Sequence, residues 1–251
     1  MWELAIIFDL LYENYFLLAT KRIQKVFAKQ NIVCSLEKEN KQGTLLLACD
    51  EVNKFKMINL LDEILSNFFA VEYKENYIRN HLKLNRINDM QKETFLKAMV
   101  CFDLEYDKAV IAKKLQYKSK IYLNSFFAFS CKSIKNKWLD ICELTNDNAD
   151  FLQENNIFSE LLKFLIQNLK FYKNTVKVNY KKNHYEFLDE DDKKIKLNKL
   201  KADKNEISLI TNLIRLNPKC IDFYYDKTIQ IDTLELVRAL FEERLNLIEK
   251  E

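Results

Sequence analysis

One glycine, Gly43, and one proline, Pro218, among 251 residues constrain this chain more than any motif in it. Left-handed turns, and backbone that presses against a phosphate, need a residue without a side chain. Most glycine-rich nucleotide cradles and strained nucleophile turns are therefore closed to the chain. Ordinary globular sequences carry about 7% Gly and about 5% Pro, so the scarcity of both fits a fold built mostly of helices. The abundance of Lys, Asn, Ile and Phe in their place also suggests an A/T-rich genome.

Hydrophobic residues make up 48% of the chain, enough for a dry core in one large domain or two to three small ones. A count of 40 Lys and Arg against 37 Asp and Glu leaves a formal charge of +3, which points neither to a nucleic-acid coat nor to an acidic tail. Cys34, Cys49, Cys101, Cys131, Cys142 and Cys220 form no Cys-x-x-Cys pair and have no histidine close in sequence. They read as buried, reduced thiols of a cytoplasmic protein and not as zinc ligands. The start, Met1-Trp2-Glu3-Leu4, puts an acid where a secretory leader has a basic region, and it reads as a first strand. No stretch approaches the roughly 18 apolar residues of a membrane span.

Periodicity divides the chain into three. In residues 1–71, Leu4–Phe8 reads as a strand, and Tyr15, Leu18, Ile23 and Val26 as a helix. A hairpin comes next, Ile32–Leu36 and Thr44–Cys49, with Gly43 supplying its turn. Asp50 then caps a helix with the apolar face Phe55, Ile58, Leu61, Leu65 and Phe69. This is a βαββα unit. Residues 72–171 read as a helical bundle, with stripes through Tyr73/Tyr77, Phe95/Met99/Phe102 and Leu123, Phe127, Ile134, Trp138 and Ile141. After a break at Asn146-Asp147-Asn148 comes an amphipathic helix through Phe151, Phe158, Leu161, Leu162, Leu165 and Leu169. Residues 172–251 read as ββαβα: a hairpin through Val176, Val178, Tyr180, Tyr185 and Phe187, a helix opened by an Asp203/Glu206 capping box and stopped by Pro218, a strand Ile221–Tyr225, and a last helix capped by Asp232/Glu235. Leu245–Ile248 either extends that helix or forms a short edge strand. The fold class expected is helix-rich α+β.

The strongest local signal is basic. Lys108, Lys113, Lys114, Lys118, Lys120, Lys132, Lys135 and Lys137 fall between Lys108 and Leu139 without one Asp or Glu, interleaved with Tyr117, Tyr122, Phe126, Phe127, Phe129 and Trp138. Lysines can hold a phosphate backbone while aromatic rings stack on unpaired bases. Phe127 and Trp138 belong to the apolar stripe, so the plainer reading is a solvated basic face over a core. Lys113, Lys114, Lys118, Lys120, Lys132, Lys135 and Lys137 are the candidate anion or nucleic-acid contacts.

Other features read as ordinary surface. The Asp189-Glu190-Asp191-Asp192 run lacks the glycine and the distant glutamate of a calcium loop and is followed by Lys193-Lys194. His81 and His184 stand a hundred residues apart with no carboxylate set around them, so no metal centre is predicted. Nothing local presents a cysteine as a thiolate. Asp103/Glu105, Asp62/Glu63 and Glu242/Glu243 are not spaced to sit side by side on a helix. No catalytic residue and no cofactor is predicted.

In the C-terminal half, FLQENNIFSELLKFLIQN at 151–168, YEFLDEDDKKI at 185–195, ISLITNLIRLNPKCIDFYYD at 207–226 and LVRALFEERLNLI at 236–248 come after IYLNSFFAFSCKSIKNKWLDI at 121–141. In this order they resemble the YtxC-like sporulation protein family over roughly residues 120–250. The chain departs from that pattern at Ser130, Lys132 and Lys137, where arginines and a tyrosine are expected. The resemblance implies a cytoplasmic protein of low-G+C, spore-forming bacteria, without an assigned activity or site residues. The expectation is a non-enzymatic protein acting in sporulation through protein partners. The alternatives are a nucleic-acid-binding module on the Lys108–Leu139 face and an enzyme with an unrecognised acid/base site.

Overall fold

The computed structural model describes residues 1–9, 13–28, 30, 32–84, 89–147, 155–169, 171–181, 184–195 and 205–250. Asp203 of the expected capping box, Asn148 and Phe151 lie outside the described residues, as do the side chains of Tyr15, Leu18, Phe158 and Glu206. The fold is helix-rich α+β with two mixed sheets of four strands. In chain order the elements are β1 (Trp2–Asp9), α1 (Glu13–Phe27), β2 (Val33–Glu39), β3 (Gln42–Cys49), α2 (Glu51–Phe68), a π turn (Phe69–Tyr73), α3 (Lys74–His81), α4 (Asp89–Cys101) and α5 (Leu104–Lys114). Next are β4 (Lys120–Tyr122), α6 (Leu123–Ser125), a second π turn (Phe126–Ser130), α7 (Lys132–Asp147), α8 (Asn155–Gln167), β5 (Lys173–Lys181) and β6 (His184–Leu188). The chain closes with α9 (Asn205–Leu216), β7 (Pro218–Tyr225), α10 (Ile231–Phe241), a 3₁₀ turn (Glu242–Arg244) and β8 (Leu245–Glu249).

Two compact units form, where periodicity suggested three. One holds Met1–His81 with Asp103–Leu144, the other Leu82–Phe102 with Thr145–Glu251. The helical middle is divided between them, because α4 packs on α9 and α8 while α5 packs on α2. That middle also contains a strand that helical periodicity conceals: Ile121 pairs with Ile6, placing β4 parallel to β1.

The first sheet has the order β2-β3-β1-β4. Since β1 and β2 both run antiparallel to β3, they are parallel to each other across it, a split βαβ arrangement with α1 as the crossover. Alternation sends Leu4, Ile6 and Phe8 of β1, and Leu45 and Leu47 of β3, into one core with Phe16, Ile23 and Phe27 of α1. Each fully buried ring of that core contributes about 1.5–3 kcal/mol relative to exposure.

Two sequence expectations shift here. The hairpin turn is Asn40-Lys41, with Asn40 at φ 54°, a left-handed conformation that asparagine tolerates. Gly43 instead lies within β3 opposite Phe8, where a Cβ would meet the Phe8 ring at 2.5 Å. Asp50 does cap α2, its Oδ1 accepting from the Asn53 N–H at 2.8 Å. The helix, however, buries Met57, Leu61, Leu65 and Phe68, leaving Phe55 74% exposed.

The second sheet has the order β6-β5-β7-β8, with β5, β7 and β8 parallel and β6 returning antiparallel as the hairpin partner of β5. Val176, Val178, Ile221 and Phe223 lie in its core with Leu209, Ile210 and Leu213 of α9 and Val237 and Leu240 of α10. Leu245–Glu249 is the edge strand, and the preceding Arg244 stitches the unit together. Its guanidinium donates to Asn217 Oδ1 at 2.8 Å, to the Pro218 carbonyl at 3.1 Å and to the Ile166 carbonyl at 3.3 Å. Asn217, at φ 32°, breaks α9 and donates to the Leu169 carbonyl, and Pro218 opens β7 at a position where a missing N–H is tolerated. The expected Asp232 cap is displaced: Gln230 stands at the N-cap of α10, two residues earlier, and Asp232 sits inside the first turn, where its charge favours the helix N-terminus.

Candidate functional site

The basic segment is split by the fold into lysines with structural bonds and lysines facing solvent. Lys137 Nζ lies 2.6 Å from Asp103 Oδ2, 3.7 Å from Asp107 Oδ1 and 4.8 Å from the centroid of the exposed Tyr106 ring. Lys108 pairs with Glu105. Lys114 Nζ donates to the Ser130 carbonyl at 2.6 Å, tying the last turn of α5 to the second π turn. Among the described residues, Lys113, Lys118, Lys120, Lys132 and Lys135 have no carboxylate within ion-pair distance.

The aromatic partners divide in the same way. Phe126, Phe127 and Trp138 are buried, and the Tyr117 hydroxyl donates to Asp62 at 2.9 Å. Phe129 is 79% exposed and Tyr122 is 48% exposed. The Lys114–Ser130 bond therefore ties the end of α5 to the turn that carries Phe129 and leads into Lys132. Lys120 and Tyr122 belong instead to β4, alternating with the buried Ile121.

Both π turns explain why these residues face as they do. The Cys131 N–H reaches back to the Phe126 carbonyl and the Lys74 N–H to the Phe69 carbonyl, five residues in each case. One extra residue per turn rotates the helix that comes after it, so Cys131 enters the core while Ser130 and Phe129 stay out. The stripe continues through Ile134, Trp138 and Cys142, with Cys142 in the fully buried place that spacing alone gave to Ile141. The two turns meet ring to ring: Phe69 stacks on Phe127 at 5.6 Å and 5°, and Tyr73 lies 4.2 Å from Phe127.

The same rotation buries a lysine. Lys74, at the start of α3, is 2% exposed; its Nζ donates to Asp107 Oδ2 at 2.8 Å and lies 5.6 Å from the Trp138 ring centroid. Trp138 Nε1 donates to the same oxygen at 2.9 Å. Asp107 Oδ1 accepts no hydrogen bond among the described residues. Sequence reasoning missed this node, because Asp107 and Lys74 each sit in an unremarkable helical charge pattern. Packed shut under the rings, it locks α3, α5 and α7 together.

The remaining candidates have structural partners. Asp189 Oδ1 accepts from the N–H groups of Asp191 and Lys193, Lys177 binds Asp192, and Lys193 reaches Asp191, so the acidic loop is held by its own backbone and by lysines. His81 stacks on Tyr77 at 4.2 Å, and His184 opens β6 on an exposed position. Asp103 faces Lys137, Glu105 faces Lys108 and Glu242 faces Lys163. No group of three His, Cys, Asp or Glu lies close enough to hold a metal among the described residues. Burial pushes the thiols of Cys34, Cys131 and Cys142 up to about 11 and raises those of Cys49 and Cys220. They are poor nucleophiles near neutral pH.

The helices cover one face of the first sheet; on the other face Ile7 is buried, but much of the rest is exposed. On it, Val33 (69% exposed), Leu46 (38%) and Tyr122 surround Ala5 and Ala48, with Glu3 and Glu37 at the margin. Compared with family models, with curated proteins and with solved structures, the chain matches none. No helix among the described residues is long and apolar enough to cross a membrane.

Proposed function

We propose that this is a non-enzymatic, cytoplasmic protein that acts in sporulation through a protein partner docked on the open face of the first sheet. The observation that carries the reading is the composition of that face. A sheet with one solvated side ordinarily turns polar residues outward, whereas here Val33, Leu46 and Tyr122 stand exposed beside Ala5 and Ala48 as well as Ser35 and Thr44. Acidic Glu3, Glu37 and Glu39 outnumber Lys120 around them, which fits a partner with an apolar surface and basic flanks. The resemblance of roughly residues 120–250 to YtxC-like proteins supports the sporulation context.

The test is the yield of heat-resistant spores in the organism that encodes the chain. Deleting the gene lowers the yield, the unaltered chain restores it, and a V33D/L46D chain with an unchanged near-UV spectrum does not. An unchanged yield after deletion overturns the sporulation role. Restoration by the variant overturns the surface.

A further inference from the structure

From the exposed surface formed by the end of α5, the residues that follow it and the second π turn, we infer that the first unit binds single-stranded nucleic acid, with Phe129 as a stacking platform and Lys113, Lys118 and Lys132 as phosphate contacts. Three observations converge. The segment from Lys108 to Leu139 contains no acid, and Lys113, Lys118 and Lys132 have no carboxylate partner among the described residues, so their charge is available to an anion. The Lys114–Ser130 bond fixes two parts of that surface to each other. Ser130 follows Phe129 directly, so the bond holds the end of α5 next to the turn that carries the exposed ring.

The π turn supplies the third observation. Its extra residue points Phe126, Phe127 and Cys131 inward and leaves Phe129 79% exposed. A ring turned outward within an acid-free, lysine-rich segment matches the demands of an unpaired base on a charged strand: a flat apolar platform and positive charge for the phosphates. A duplex hides the faces of its bases, and a bilayer offers phosphates but nothing planar to stack. The open sheet face of the same unit carries acidic residues and is unsuited to either nucleic acid.

The experiment is fluorescence anisotropy of labelled oligothymidylate with the full chain, begun at about 50 mM salt, where phosphate contacts are strongest. Binding is expected, with log K falling against log salt at a slope of about −2 if three lysines each meet a phosphate. Phe129→Ala weakens it about fivefold or more, and Phe129→Trp retains it. Lys113→Glu with Lys132→Glu weakens it further and flattens the slope, while Lys41→Glu in the β2–β3 turn leaves it within twofold, a control for net charge. Absence of binding at that salt overturns the inference. So does equal affinity for duplex, an ineffective Phe129→Ala, or binding confined to phosphatidylglycerol vesicles.

Discussion

At Gly43 the absent side chain makes room for a ring. Gly43→Ala places a methyl against Phe8, 2.5 Å from the ring carbons, and overpacking of this kind destabilises by about 1–3 kcal/mol. Urea unfolding of Gly43→Ala, Phe8→Leu and the double variant checks it: the double variant loses less than the sum of the singles. Lys74 and Asp107 are coupled more strongly. Lys74→Met removes the close ammonium from the buried Asp107 carboxylate, leaving it Trp138 Nε1 and the more distant Lys137 at 3.7 Å, a loss of about 3–5 kcal/mol. Replacing Asp107 by Leu in the same chain recovers much of that loss. Neither role was legible in the sequence. The need for a glycine could be read, but its reason depends on which strand lies opposite, and a lysine is recognised as buried only when a π turn moves its helix face.

Elements with strict alternation were the most legible. The Val176–Tyr180 and Tyr185–Phe187 hairpin pairs Val178 with Phe187 and Tyr180 with Tyr185, and the Asp50 cap holds. Helix faces were less so. The stripe through α2 counted Phe55 as core although Met57 fills that role, since a long apolar run offers several faces and only the sheet beneath selects one. β4, at three residues, is too short to leave a periodicity. In the candidate segment the run of lysines was visible, but their division into structural and free ones required knowing that Asp103, Asp107 and Ser130 face Lys137 and Lys114. Arg244 was not singled out at all, because its three acceptors come from three elements. Arg244→Lys is expected to lose most of the stability lost by Arg244→Ala, measured by thermal unfolding, since an ammonium cannot span the acceptors that the planar fork reaches.

Across the whole molecule the thiols give a pH signature. Cys34, Cys131 and Cys142 have folded values near 11 against an ordinary value of 9.0. Between these values the unfolded chain releases thiol protons that the folded chain keeps, so stability is full below about pH 9 and falls as pH rises towards 11. Denaturant midpoints measured across that range check the sign, and an alkaline midpoint that rises contradicts it. At pH 8, Cys131 and Cys142 are expected to resist a thiol reagent until the protein is unfolded. The division into units gives a further expectation. Since α4 covers α9 and α8, a fragment of residues 145–251 lacks part of its own core and should be less helical and more prone to aggregate than the same fragment supplied with residues 82–102, as read by circular dichroism and gel filtration.

That threading also sets a schedule. α4 leaves the ribosome with Phe95, Leu96, Met99 and Val100 destined for burial, yet α9, against which it packs, is made roughly a hundred residues later. At about 5–20 residues per second, the apolar face waits on the order of five to twenty seconds for its cover. Newborn chains thus pass through an interval in which an early helix is complete and unsheltered, and holding factors that bind nascent apolar helices should matter more to this protein's yield in the cell than to its refolding from denaturant at high dilution.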